Sequence, residues 1–128
     1  MTTLKNLFDV SGKKVFVTGA SSGIGRSAAT CLAESGAKVV AIARRAGRLK
    51  EWNDETNGET SYFEADVSNK NQIKNIVKKI IKAEGSPDIL INAAGLNTRE
   101  HADDVTLEGW DKTLDLNLSI PFFIAQAV

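Results

Sequence analysis

Cysteine and histidine are nearly absent from this chain: Cys31 and His101 are the only ones among 128 residues. A single cysteine excludes an intramolecular disulfide framework and a cysteine-built zinc site. A single histidine would leave any metal to carboxylates, and no spacing here gathers them. Charge of one sign is not in excess either. Sixteen basic and sixteen acidic residues cancel, and no long run of one sign occurs. That argues against a nucleic-acid arm or a membrane-surface patch. No apolar run approaches the roughly 18 residues that span a bilayer. Met1 to Asp9 lack the charged-then-apolar pattern of a secretory leader. What the chain does have is 42% apolar residues, enough for one modest core. The expectation is a soluble, cytoplasmic chain forming one domain or part of one, with no metal, nucleic-acid or membrane partner.

Short β-rich runs alternate with longer helical patterns, which predicts successive βαβ units on a parallel sheet. Lys14–Thr18 (KVFVT) reads as a buried first strand ending at Gly19. Ile24, Ala28, Ala29, Leu32 and Ala33 then share a helical face that Gly36 terminates. Lys38–Ala43 (KVVAIA) is the second strand, and Leu49 with Trp52 marks a short amphipathic helix within 44–58. Thr60–Glu64 is the third strand, with an N-cap expected at Ser68. Ile73, Ile76, Val77, Ile80 and Ile81 make the clearest helical stripe, ended by Gly85 and Pro87. Asp88–Asn92 (DILIN) is the fourth strand. A last helix starts near Thr106 and is apolar at Leu107, Trp110, Leu114 and Leu118. Trp110 reads as a core or packing anchor, and Cys31 as a small buried hydrophobe. Phe122, Phe123, Ile124, Ala127 and Val128 stay apolar with no stop signal. Residues 1–128 therefore read as the N-terminal part of a single domain, cut within the helix after strand four.

The segment Thr18-Gly19-Ala20-Ser21-Ser22-Gly23-Ile24-Gly25 joins the first strand to the first helix. Glycines serve where the chain turns sharply, where backbone approaches a phosphate, and where helix meets strand. A helix N-terminus offers unpaired N–H groups and partial positive charge to an anion, and Ser21 and Ser22 add hydroxyls. No Gly-Lys-Ser/Thr follows, so this is not a nucleotide-triphosphatase loop. With this motif the chain resembles the classical short-chain dehydrogenases/reductases, whose glycine signature is Thr-Gly-x-x-x-Gly-x-Gly. Asp66-Val67, Asn92-Ala93-Ala94-Gly95 and Asn117 follow in the family's order. The resemblance implies an α/β fold: a doubly wound, Rossmann-type parallel sheet in three αβα layers, with the first four strands present. It also implies a nicotinamide dinucleotide held by Gly19, Ser21, Ser22, Gly23, Ile24 and Gly25. Asp66 would accept from the adenine amino group and Val67 would line its pocket. Asn92, Ala93, Ala94 and Gly95 would approach the nicotinamide-side ribose, with Ala93 standing where the family has a second asparagine.

An acid at the end of the second strand commonly accepts the NAD ribose hydroxyl. Here the strand ends Ala43-Arg44-Arg45. A guanidinium can grip a 2′-phosphate in bidentate fashion, so Arg44 and Arg45 favour NADP(H) and leave NAD(H) as the alternative. Ser22 pulls the other way, because some NADP-preferring relatives carry a basic residue at its position.

Catalysis in this family uses a serine, a tyrosine and a lysine four residues after the tyrosine. The only tyrosine, Tyr62, lies in a strand and is followed four residues later by Asp66. Of the implied catalytic tetrad only Asn117 is present, four residues before Pro121, which has no N–H to offer its carbonyl. Asn97, Arg99 and His101 follow the Gly95 turn, and their polarity would suit a hydroxylated or anionic substrate. The implied function is an NAD(P)(H)-dependent oxidoreductase for an alcohol–ketone pair, such as a 3-oxoacyl thioester or a sugar acid. The small-molecule substrate would be handled by a homotetramer or homodimer. The alternative is a non-catalytic dinucleotide-binding module or sensor, because three of the four catalytic groups are missing from these residues.

Overall fold

The computed structural model describes residues 4–128; residues 1–3, part of the Met1–Asp9 segment, lie outside it. A short helix α1 (Leu4–Leu7), without a signal in the sequence pattern, precedes strand β1 (Lys14–Thr18). Helix α2 (Gly23–Glu34), strand β2 (Lys38–Ala43), helix α3 (Ala46–Glu55) and strand β3 (Glu59–Glu64) follow. Helix α4 (Ile73–Glu84) leads to strand β4 (Ile89–Asn92). The chain finishes in helix α5 (Leu107–Leu114), a π-helical segment (Asp115–Ser119) and helix α6 (Ile120–Ala127).

All strand pairs are parallel, in the order β3-β2-β1-β4. β1 is flanked by β2 on one side and β4 on the other, with Val15 opposite both Val39 and Ile89. The direction of winding therefore reverses between β1 and β4, the switch point that opens a crevice beyond the strand ends. Val15, Phe16 and Val17 are all buried, as expected of a strand covered on both faces. Val15 and Val17 pack with Ala29 and Ala33 of α2 and with Leu49 and Trp52 of α3. Phe16 joins Val40, Ile42 and Ile80 on the opposite face. Ile73 and Val77 of α4 in turn meet Ile120 and Ile124 of α6. The result is a doubly wound, three-layer αβα sheet of Rossmann type with four strands. Trp52, 1% exposed, also ties two helices together, its indole N–H donating to Thr30 Oγ1 at 3.0 Å.

Four expectations are corrected. Cys31 is exposed, because the buried residues of α2 are Gly25, Ala29 and Ala33, and two residues beyond Ala29 lies the opposite helix face. Ile24, 85% exposed, borders the crevice instead of joining the core stripe. The helical entry after β3 is capped by Asn69, whose Oδ1 accepts from Asn71 N at 3.0 Å; the Ser68 N–H instead donates to Asp66 Oδ1 at 2.9 Å. Trp110 is 57% exposed, and Leu107, Leu114 and Leu118 are exposed with it. The long last helix carries two apolar stripes, and only the one with Ile120 and Ile124 rests on α4.

Candidate functional site

A cleft of about 610 Å³ opens beyond the ends of the strands. Gly19, Ser21, Ser22, Ile24 and Gly25 line one wall, Arg44 and Arg45 the rim after β2, and Asp66 and Val67 the segment after β3. Ala93, Ala94 and Gly95 close the side beneath β4. Gly23, Asn92 and Asn117 do not line it.

The wall is built by backbone constraints. Gly19 has φ 65°, and a Cβ there would stand 2.6 Å from Ala94 N. A Cβ on Gly25 would collide with the Gly19 carbonyl. Only glycine at both positions lets the turn after β1 lie against α2 and the β4 exit. Buried Thr18 fastens the two strand ends, its Oγ1 accepting from Ala94 N at 3.4 Å and donating to Ile91 O at 3.5 Å.

The electrostatics are set by few groups. Ser22 is the N-cap of α2 but makes no side-chain capping bond, so the first-turn N–H groups are left open toward an anion. Arg45 Nη2 donates to Ser21 Oγ and Ser22 Oγ, each at 2.9 Å. The Asp66 carboxyl lies below its ordinary 3.8, held there by hydrogen bonds from the Ser68 hydroxyl and the Ser68 N–H. Partial burial opposes this, and the charge of Arg44 adds to it. Asp66 is thus an anionic acceptor at neutral pH.

Asn117 sits in the π-helical segment with its side chain bound to the backbone of Leu96. The π turn arises where Pro121 has no N–H for the Asn117 carbonyl, and the Ile120 N–H reaches back to Asp115 O. Asn92 Nδ2 donates to Pro121 O at 3.5 Å, joining β4 to the same kink. Asn97, Arg99 and His101 stand exposed on the loop outside the cleft, with Arg99 at φ 55°.

Sequence reasoning passed over several lining residues: Leu96, Ser68, and the group Lys112, Asp115 and Leu116. The last three are spaced i, i+3, i+4, a helical face distinct from the outward stripe of Leu107, Trp110, Leu114 and Leu118, and that spacing is the signal that could have found them. Asp115 Oδ1 also pairs with Lys70 Nζ at 2.9 Å across the Asp66 end.

The short chain dehydrogenase family model matches residues 13–128. An oxidoreductase of Staphylococcus epidermidis is 36% identical over 118 residues, covering 92% of this chain and 51% of that protein. An NAD-dependent glycerol dehydrogenase of Listeria innocua is 37% identical over 122 residues, 94% of this chain and 48% of its own length. The L-sorbose reductase of Gluconobacter frateurii, solved with NADPH and L-sorbose, superposes with a TM-score of 0.83 at 28% identity. That match covers 94% of this chain and 48% of the reductase. The chain thus spans about half the length of the relatives it matches. A glycine turn closed on the β4 exit, a winding reversal at β1 and this family match agree: the chain belongs to the short-chain dehydrogenase/reductase family.

Proposed function

We propose that the whole protein is an oxidoreductase that interconverts a secondary alcohol and a ketone with a nicotinamide dinucleotide, NADP(H) being favoured over NAD(H). The observation that carries this reading is one cleft in which the glycine turn, the open N-terminus of α2, Arg44, Arg45 and Asp66 converge. The donors fit such a group: helix N–H groups and two hydroxyls for phosphate, a carboxylate acceptor for an amino group, and guanidinium charge at the rim. The bound dinucleotide would supply or accept the hydride. The chain's own residues bind and orient it, and Asp66, ionised at neutral pH, accepts at the adenine end.

Among the tetrad residues we assign only Asn117 to this chain. The serine, tyrosine and lysine that polarise the carbonyl and move the proton are assigned to sequence beyond residue 128. Residues 1–128 are on this reading the N-terminal part of one NAD(P)-binding domain. The names of similar proteins, glycerol dehydrogenase and L-sorbose reductase, support a polyhydroxylated substrate, nearer the sugar-acid class than the 3-oxoacyl thioesters. The exposed stripe of Leu107, Trp110, Leu114 and Leu118 supports self-association as a homotetramer or homodimer. No helix among the described residues is long and apolar enough to cross a membrane, which accords with the cytoplasmic placement we propose.

Dinucleotide titration followed by NADPH oxidation against a panel of ketoses, keto-acids and 3-oxoacyl thioesters tests the reading. Turnover of one class supports it. Binding without turnover, in a protein whose sequence includes a Tyr-x-x-x-Lys, would favour the sensor alternative. Failure to bind either dinucleotide would overturn both.

A further inference from the structure

The π-helical segment reaches both ends of the cleft through residues two apart. Asp115, at its start, accepts from Lys70 Nζ through Oδ1 at 2.9 Å. Asn117 holds Leu96 at the β4 exit through both polar atoms of its carboxamide. Side chains two apart on a helix leave it on different sides, so one turn can grip two loops at once. Lys70 is joined in its turn to Asp66. The Ser68 N–H donates to Asp66 Oδ1 at 2.9 Å, and the Asn71 N–H donates to Asn69 Oδ1 at 3.0 Å. Gln72 N donates to Asn69 O at 3.0 Å, closing the turn that carries Lys70. A continuous run of bonds therefore leads from Asp66, across the ion pair, to Asn117 and Leu96. The other cation on this face, Lys112, is taken by Glu108 at 2.6 Å.

We propose that Lys70 is a positioning residue: its ion pair with Asp115 makes the π-helical segment respond to a ligand at the Asp66 end, and Asn117 passes that response to Leu96. This rests on the dinucleotide reading above and adds to it a link between the two ends of the cleft. Asp115 lines the cleft and Lys70 does not, so Lys70 acts on a ligand through its partner. The two side chains are 47% and 31% exposed, and pairs as open as this add little to stability. Their bond still fixes where Asp115 stands, and coupling between sites travels through such bonded networks. Val67 and Leu116 pack on one apolar cluster, so the two segments stay in contact without the pair. That contact sets their spacing but, being non-directional, leaves their register free. The π turn begins at the residue that Lys70 holds, with Ile120 N–H bonded to Asp115 O. A ligand that settles Asp66 and Val67 draws Lys70, Asp115 and this turn into one position, and Asn117 with them.

Amide hydrogen exchange of the purified whole protein, with and without saturating 5′-AMP, tests this. AMP represents only the adenine end of a dinucleotide. It is expected to slow exchange at the Leu96 N–H at least about threefold more than at the Thr56 N–H, which lies at the end of α3. Lys70→Met should cut that difference to less than about 1.5-fold. AMP affinity should stay within about threefold of wild type and the melting temperature within about 3 °C, because the pair is half-exposed. Lys70→Arg keeps the charge and the donors and should restore most of the effect. Asp115→Asn should match Lys70→Met, and the double variant should be no worse than either single one, because the two act as a unit. Equal protection of Leu96 in wild type and Lys70→Met overturns the role of Lys70 and leaves the dinucleotide reading standing. So does AMP binding to wild type without protection of Leu96. Binding of NADPH without binding of AMP overturns it as well, since the Asp66 end would then hold no ligand by itself. Failure of wild type to bind AMP, NADPH and NADH alike overturns both.

Discussion

The carboxamide of Asn117 holds Leu96 by both sides of its backbone, Oδ1 accepting from Leu96 N at 3.1 Å while Nδ2 donates to Leu96 O. The same Nδ2 also donates to Thr113 O at 2.9 Å, so the side chain is fully occupied in fastening the β4 exit to the π-helical segment. Whatever Asn117 contributes to chemistry is therefore left to its main-chain carbonyl, which Pro121 deprives of a helical partner. Asn117→Ala should destabilise the fold by about 1–2 kcal/mol, the worth of a small set of hydrogen bonds at a partly solvated site. Its diagnostic is local: amide hydrogen exchange at Leu96 should accelerate far more than exchange in β1. Equal acceleration at both positions would mean that Asn117 stabilises globally and does not act as a local clamp.

Gly19 offers a sharper test of the wall. An alanine there must adopt φ 65° and place its Cβ 2.6 Å from Ala94 N, so strain and collision act together. Gly19→Ala should lower stability by more than the roughly 1–2 kcal/mol of a left-handed conformation alone. Because relief requires the β4 exit to move away, dinucleotide affinity should fall with it. A urea titration paired with NADPH binding on the refolded variant reads both effects. Wild-type affinity in a destabilised Gly19→Ala protein would show that the Gly19–Ala94 approach serves packing and not the ligand.

Much of this architecture is legible in the sequence because its causes are local. Lys38–Ala43 is recovered to the residue, since an apolar run buried on both faces ends at two arginines. The glycine turn is legible because backbone geometry, not tertiary context, demands its glycines. The burial of the last helix is not legible in the same way. Leu107, Trp110, Leu114 and Leu118 form one apolar stripe, and Leu116, Ile120 and Ile124 form another. Only the position of Ile73 and Val77 on α4 selects between them. The bonds from Arg45 to Ser21 and Ser22 are invisible for a related reason. They exist because Thr18 pairs with Ile42, which brings the segments after both strands together. Sequence patterning names the residues and cannot join them.

The outward position of Cys31 yields a chemical prediction. An exposed thiol on the far side of α2 from Ala29 should react with a disulfide reagent in the native protein without denaturant. Cys31→Ser should then change stability by less than about 0.5 kcal/mol, as for surface substitutions that break no buried contact. Trp52, by contrast, fills the core between α2 and α3, and Trp52→Ala should cost about 3–5 kcal/mol. Chemical denaturation of the two variants side by side separates the positions. A protected thiol or a large loss at Cys31 would mean that α2 is rotated relative to the sheet.

Asp66 links the candidate site to acid stability, with a definite sign. Its folded-state value lies below the ordinary 3.8 because the Ser68 hydroxyl and N–H bond the carboxylate, with Arg44 adding to the effect. A group depressed on folding contributes stability that is fully present above the unfolded value. That contribution is lost as pH falls through the folded value, so the window lies below 3.8. Asp66→Asn removes the titration and should flatten this part of the acid limb, while stability at neutral pH falls modestly because the carboxylate's bonds to Ser68 are weakened. Ser68→Ala should flatten it too, by removing the hydroxyl that contributes most to the shift. Thermal unfolding of the three proteins from about pH 6 down to about pH 2.5 reads the difference. Parallel acid limbs for wild type and Asp66→Asn would show that Asp66 is no better bonded in the folded chain than in the unfolded one, and would remove the support for a preorganised anionic acceptor at this end of the cleft.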